Sequence, residues 1–229
     1  MIVRSGLIKK KPEWTGEDFR RYWLGHHGAL AAKLPGLVRY EQNHVTDHAQ
    51  RGFTYPRGPE ELDGFSMLWF NDEASMRAAM ATEAGRALIA DENHFIGDLR
   101  IVTLDQVEVV APATDRPVIK RMSLLRRRAD VTHEEFVHEW RVEHARLVKR
   151  VAGVRGYRQN LIVGREVPKG HPVEYDGLPI DGIVELWFED ETTLQNAFES
   201  PAGQTTMAHA KTFLGQITAF LVNERKVFG

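Results

Sequence analysis

The sequence predicts an α+β protein: two tandem ferredoxin-like (β-α-β-β-α-β) domains whose sheets close on each other within one chain. Three observations carry this. The chain of 229 residues suits two domains of about 110 residues each. It repeats itself at a nearly constant offset. Each copy offers four strand-like and two helix-like segments in the same order.

The repeat is read first. Residues 19–43 and 136–160 align without a gap at an offset of 117, with 8 of 25 positions identical. Unrelated segments would share about one or two. The identities are Phe19/Phe136, Trp23/Trp140, His27/His144, Leu30/Leu147, Gly36/Gly153, Tyr40/Tyr157, Gln42/Gln159 and Asn43/Asn160. After a loop the match resumes at an offset of 118, where Asp63-Gly64 meets Asp181-Gly182 and Leu68-Trp69-Phe70 meets Leu186-Trp187-Phe188. Copy one is placed at 1–112 and copy two at 113–229, joined by the Pro-containing linker APATDRP at 111–117.

The elements follow in order. The apolar runs 2–8 and 118–125 are first strands. The first helices start at the capping pairs Thr15/Asp18 and Thr132/Glu135 and end at Pro35-Gly36 and Gly153. Second strands cover 37–45 and 154–163. Third strands cover 64–70 and 182–188, each entered through an Asp-Gly pair read as a turn. Second helices span 72–89 and 190–208, followed by a short helical piece and fourth strands at 99–109 and 217–227. Such a sheet has helices on one face only, so the other must be covered. Two copies on one chain cover each other, leaving pockets between sheet and helices.

Composition narrows the function classes. A net charge of −2 gives no pull toward nucleic acid or anionic membrane. The basic clusters at 9–11 and 126–128 follow strand-like runs and read as strand ends. There is no cysteine, so disulfides, thiolate nucleophiles and Cys-type zinc sites are excluded. This suits a reducing, cytoplasmic setting. No apolar run has membrane-helix length, and no nucleotide-binding glycine pattern or HExxH is present. The expected partner is a small molecule, with no metal and no cofactor. Association into a homodimer of the two-domain chain is left open.

On a helical wheel Phe19, Trp23, Leu30 and Leu34 form an apolar stripe, with His27 at its edge and His144 in the same place in copy two. A half-desolvated imidazole there would titrate near neutrality and could move protons; the plain alternative is a structural histidine. Trp23, Trp69 and Tyr40, with Trp140, Trp187 and Tyr157 in copy two, are candidate linings of an apolar pocket, or simply core. On the second strand Tyr40, Gln42 and His44 share one face and Asn43 takes the other.

The pattern Phe19-x3-Trp23-x3-His27-x2-Leu30, then Pro35-Gly36-x3-Tyr40-x-Gln42-Asn43, then Asp63-Gly64 with Leu68-Trp69-Phe70, resembles the EthD family of dimeric α+β barrel proteins. The motif returns at 136–147 and its companions follow, so the resemblance covers nearly the whole chain. Copy two lacks the proline before Gly153 and carries Glu139 in place of Tyr22. The resemblance implies an intramolecular dimeric α+β barrel. It also implies a helix histidine with nearby Tyr or Asn groups as the proton-handling set. Family members include lactone isomerases, polyketide-tailoring dehydratases or decarboxylases that work without metal or organic cofactor, and an accessory protein of ether degradation. Related barrels include cofactor-free monooxygenases and haem-binding proteins.

The expected function is therefore a cofactor-independent lyase or isomerase acting on an apolar oxygenated molecule, such as an aromatic, polyketide or lactone. The alternatives are a non-catalytic ligand- or haem-binding accessory protein, or a cofactor-free monooxygenase. The expected catalytic set is His27, His144, Tyr40 and His94. The expected binding set is Trp23, His26, Asn43, His44, Trp69, Trp140, Tyr157, Asn160 and Trp187. The copies differ at His26/Glu143, His44/Leu161, Asp91/His209 and His94/Thr212. The extra histidines point to copy one as the better-equipped site. Gly- and Pro-bearing stretches at 52–59 and 164–179 read as loops over a pocket mouth.

Overall fold

The computed structural model describes residues 1–113 and 118–229; positions 114–117 of the expected linker lie outside the described residues. The described residues form a closed eight-stranded barrel. Copy one supplies β1 (Ile2–Lys10), β2 (Leu37–Asp47), β3 (Gly64–Phe70) and β4 (Ile96–Val110). Copy two supplies β5 (Ile119–Arg127), β6 (Gly156–Glu166), β7 (Gly182–Phe188) and β8 (Leu214–Phe228). The strand order around the barrel is β1-β3-β2-β8-β5-β7-β6-β4. Each copy thus keeps the ferredoxin-like order, and two antiparallel seams, β2–β8 and β4–β6, join the copies. No strand edge remains unpaired in the ring.

The helices cover the outside. The first, α1, is composite: an α-helical start at Gly16–Tyr22, a π-helical turn at Trp23–His27 and a last turn at Gly28–Ala31. Its twin α4 runs through His133–His138, a π-helical stretch at Glu139–His144, and Ala145–Val148. Thr15 accepts the Asp18 amide (3.1 Å), and Thr132 and Glu135 cap each other reciprocally. Gly36 (φ 72°) and Gly153 (φ 91°) leave these helices in the left-handed region that glycine favours.

The second helices differ from the sequence expectation. They are two segments each, α2 (Glu73–Ala81) with α3 (Glu83–Phe95), and α5 (Glu191–Glu199) with α6 (Pro201–Phe213). Thr82 and Ser200 are extended at the junctions and their hydroxyls cap Gly85 and Gly203, which starts a new helix. Pro201 suits a first helical position and disfavours continuing the earlier helix.

Strand alternation sorts side chains into two environments. Val3, Leu7, Phe65, Met67, Val102, Met122, Ile183 and Phe220 point into the barrel and form one core shared by both copies. A buried polar cluster also lies there. Lys120 sits 2.6 Å from Glu185, 2.7 Å from Glu224 and 4.0 Å from Glu41. The three carboxylates are grouped closely enough to hold a cation, and the Lys120 ammonium is that cation. The opposite faces pack under the helices in a separate set of cores for each copy.

Candidate active sites between sheet and helices

Each copy builds the same kernel between its first helix and second strand. In copy one, Gln42 donates from Nε2 to the Trp23 carbonyl (2.7 Å) and to the Tyr40 hydroxyl (2.9 Å). The Trp23 indole donates to the same hydroxyl (3.1 Å). In copy two, Gln159 donates to the Trp140 carbonyl (2.6 Å) and the Tyr157 hydroxyl (2.7 Å). A hydroxyl that accepts from fixed donors has its own proton free, and no acceptor takes it among the described residues. Burial pushes both phenols well above their ordinary value, so each stays protonated as a donor.

The histidines are oriented by different partners to the same end. His27 Nδ1 lies 2.8 Å from Asp91, which also accepts from Tyr22 (2.5 Å). The carboxylate therefore holds the His27 proton on Nδ1 and leaves Nε2 as an acceptor. In copy two Glu139 replaces Tyr22 and His209 replaces Asp91. His209 Nε2 lies 3.0 Å from Glu139, and His209 Nδ1 lies 3.3 Å from His144 Nδ1. Glu139 fixes the His209 proton on Nε2, so His209 Nδ1 accepts from His144 and again leaves Nε2 free. Burial lowers the pKa of His27, although Asp91 opposes the shift. Burial and His209 pull His144 down to about 3. His144 is therefore a neutral base at pH 7, well below the expected titration near neutrality, and burial moves His27 in the same direction.

The cavities above these kernels are unequal. In copy one, His27, Tyr40, Arg4, Ser66, Leu68 and Glu92 border about 340 Å³ of empty space. In copy two, His144, Tyr157, Trp140, Arg121 and a ring of Val, Leu and Phe side chains border about 630 Å³, part of it open to solvent. The roomier cavity is in copy two.

The roofs cross over. Phe53, on the loop after β2 of copy one, lines the cavity of copy two, and Tyr55 anchors that loop by donating to the Leu214 carbonyl (2.8 Å). Lys169, on the loop after β6 of copy two, pairs with Glu92 beside the cavity of copy one. The 52–59 stretch thus lines the cavity of the other copy through Phe53, and the 164–179 stretch touches the border of the copy-one cavity through Lys169.

A family model for the EthD domain matches residues 11–98 and 128–216, one segment in each copy. The chain belongs to the EthD family. A 4-carboxymethyl-4-methylbutenolide mutase of Pseudomonas reinekei is 32% identical over 108 residues, which is 47% of this chain and 98% of that protein. Among solved structures, an anthrone oxidase-like protein superimposes with a TM-score of 0.67 at 8% identity, covering 100% of this chain and 93% of that one. A chlorite dismutase variant from Candidatus Nitrospira defluvii gives 0.50 at 12% identity, covering 97% and 91%. At these identities the two structures share the fold alone.

Within this EthD tandem, the expected site residues divide. His27, Tyr40, His144, Tyr157 and Trp140 border the cavities. Trp23 is fully buried behind Tyr40. The wheel placed His27 at the stripe's edge, but the π-helical turn advances fewer degrees per residue and rotates it inward, to 6% exposure. His44 shares the face of Tyr40, as alternation requires, yet it stacks on Trp23 (4.5 Å) and bonds Gln42 (2.9 Å), so it is core. His94 and His26 are exposed around Tyr22 and line neither cavity, although His26 Nε2 lies 3.4 Å from Asp91, the partner of His27.

Trp69 and Trp187 point into the barrel, not toward Tyr40 or Tyr157. Trp69 stacks under Arg39 (3.7 Å) and Trp187 lies under Lys120 (4.6 Å). Asn43 and Asn160 also face the barrel. Asn160 donates to Ile183 and Glu185, and the Asn43 side-chain amide has no hydrogen-bond partner among the described residues. The Asp-Gly pairs are not turns. Asp63 accepts the Lys10 amide (2.9 Å) and Asp181 the Arg127 amide (2.8 Å), clamping neighbouring strands. A Cβ on Gly64 or Gly182 would meet the Trp23 or Trp140 ring at 2.3 or 2.4 Å, so glycine there makes room for the kernel's tryptophan.

Sequence reasoning missed Arg4/Arg121, Gln42/Gln159 and the partners Asp91 and His209–Glu139 as site components. The signals were present: an arginine inside an apolar strand, repeated at an offset of 117, and a glutamine among the identities.

No helix among the described residues is long and apolar enough to cross a membrane.

Proposed function

We propose that this EthD protein is an acid–base enzyme of the isomerase or lyase type, acting on an apolar oxygenated small molecule, with its principal site in copy two. The observation that carries the reading is a pairing on one cavity wall. The free Nε2 of a neutral histidine and the free O–H of a protonated tyrosine border the same apolar space, and every other polar position on both rings is committed. That set supplies a base and an oxygen-directed donor.

In this reading His144 removes a proton from carbon beside a carbonyl. The electron pair moves onto the carbonyl oxygen, where the Tyr157 hydroxyl stabilises the enolate. His144 then returns the proton at another position, giving isomerisation, or a leaving group departs from the β-carbon, giving elimination. His209, itself held by Glu139, keeps the His144 Nδ1 proton in place throughout, so the transferred proton is carried on Nε2. The side chains present suffice for each of these steps. The kinship to a butenolide mutase favours an oxygenated ring as substrate.

The test is exchange of the carbon-bound proton of an enolisable γ-lactone in D₂O, followed by NMR. His144→Asn and Tyr157→Phe should each slow exchange by about 10²- to 10⁴-fold. The wild-type rate should hold well below pH 6, because His144 protonates only near 3. Exchange at the wild-type rate in both variants would sink the acid–base reading and leave a binding or accessory role.

A further inference from the structure

Arg121 stands on β5 with its side chain under the helices of copy two, and only 2% of the residue is exposed. None of its three guanidinium nitrogens has a hydrogen-bond partner among the described residues. It makes no ion pair among the described residues. The guanidinium is flanked by Phe53 at 4.1 Å and Phe198 at 4.9 Å. Burial alone draws its pKa down to about 9, so it remains charged at neutral pH, and no acidic group offsets the shift.

A charge buried without a partner is costly, and a fork of donors with nothing to bind marks a missing anion. The equivalent position in copy one shows what a filled version looks like. Arg4 is buried too, but Glu92 and Glu166 lie in its field and Lys169 pairs with Glu92. At the position of Glu92 copy two has Ala210. The loss of that carboxylate is what opens both the space and the guanidinium.

We infer that the copy-two cavity is a receptor for an apolar carboxylic acid, whose carboxylate the Arg121 guanidinium takes in a two-pronged bond while its hydrocarbon or aromatic body fills the space lined by Val184, Leu186, Phe188 and Phe198. Arginine and carboxylate match in shape for such a bond. The apolar walls select a hydrophobic body over an inorganic ion. The roofing Phe53 comes from copy one, so the receptor needs both halves of the chain. This inference deepens the proposed reading, because it places the acid in the cavity that His144 and Tyr157 border. Binding nevertheless does not require that they catalyse anything.

The experiment is equilibrium binding, by calorimetry on the full chain, of phenylacetate, its uncharged analogue 2-phenylacetamide, and sulfate. Wild type should hold phenylacetate at least tenfold more tightly than the amide or sulfate. Arg121→Met should abolish that preference and raise the melting temperature, since it replaces an unpaired charge with an apolar chain. Arg4→Met should keep the preference. His144→Asn should also keep it, so loss of proton exchange with intact binding separates failure of this inference from failure of the catalytic one. Equal affinity for acid and amide, sulfate binding as tight as phenylacetate, or an undiminished preference in Arg121→Met would each overturn the assignment.

Discussion

The two helix–sheet cavities share a kernel and differ around it. Trp, Gln, Tyr and His occupy matching positions in both copies, and the glutamine makes matching bonds to the Trp carbonyl and the Tyr hydroxyl. The surroundings diverge by a few exchanges. Copy one has Tyr22, Asp91 and Glu92, with Lys169 reaching in from the other copy. Copy two has Glu139, His209 and Ala210, with Phe53 reaching in. Copy one thus neutralises its buried arginine from within, whereas copy two leaves its arginine bare in a larger apolar space. The lesson is that duplication keeps the histidine and the tyrosine in place and frees the residues around them to change.

Removing the internal neutralisation gives the largest expected effect. Glu92→Ala leaves the buried Arg4 and the half-buried Lys169 with only the weaker field of Glu166. The expected loss of folding stability is about 3 kcal/mol or more, read as a lower midpoint in urea. The double variant Glu92→Ala/Lys169→Met removes one stranded cation and should recover part of that loss. It makes copy one resemble copy two. If Glu92→Ala unfolds no more readily than wild type, the ion pair does not close the first cavity and the contrast between the copies fails.

A second test concerns His44, which copy two replaces with Leu161. Burial, with Arg225 and Arg20 nearby, holds His44 down to about 4. The unfolded chain takes up this proton near 6.5, while the folded protein resists it. The stability tied to His44 is therefore complete above about pH 6.5 and is lost as pH falls toward 4. His44→Leu should flatten that part of the stability profile. The difference from wild type should change by about 3 kcal/mol between pH 7 and pH 4. An unchanged pH slope would mean that His44 is reached by water in the folded state.

What was legible in the sequence follows from the range of the signals. The repeat shows because Trp and His are rare enough for coincident matches to count. Tyr40 and Asn43 were assigned to opposite faces by alternation alone. Alternation also links Trp69 to Phe65 and Met67, but every residue of β3 is buried. No polar face marks which side of that strand meets the helices, so Trp69 was grouped wrongly with Tyr40. The inward turn of His27 depends on a π-helical stretch that the regular 100° wheel cannot represent. The crossing of the two loops has no local signal, since nothing within 52–59 says whose cavity Phe53 will roof. Arg121 has a signal in the repeat, an arginine matching Arg4 inside an apolar run, but nothing local says that the fold leaves its guanidinium buried and unpaired.

The smallest effect sharpens the comparison at the helix starts, where the copies differ by one bond. In copy two the Thr132 hydroxyl accepts the Glu135 amide (3.2 Å) and the Glu135 carboxylate accepts the Thr132 amide (2.8 Å). The Thr15 hydroxyl accepts the Asp18 amide and donates to the Asp18 carboxylate (2.8 Å), but the shorter aspartate makes no bond to the Thr15 amide. Thr→Ala at either cap removes a side-chain acceptor, which costs about 1 kcal/mol. At Thr132 it also loosens the glutamate that satisfies the second amide. Thr132→Ala should therefore destabilise the chain by a few tenths of a kcal/mol more than Thr15→Ala. Equal denaturation midpoints for the two variants would show that the reciprocal bond in copy two adds nothing, and that the two helix starts, unlike the two cavities above them, are energetically alike.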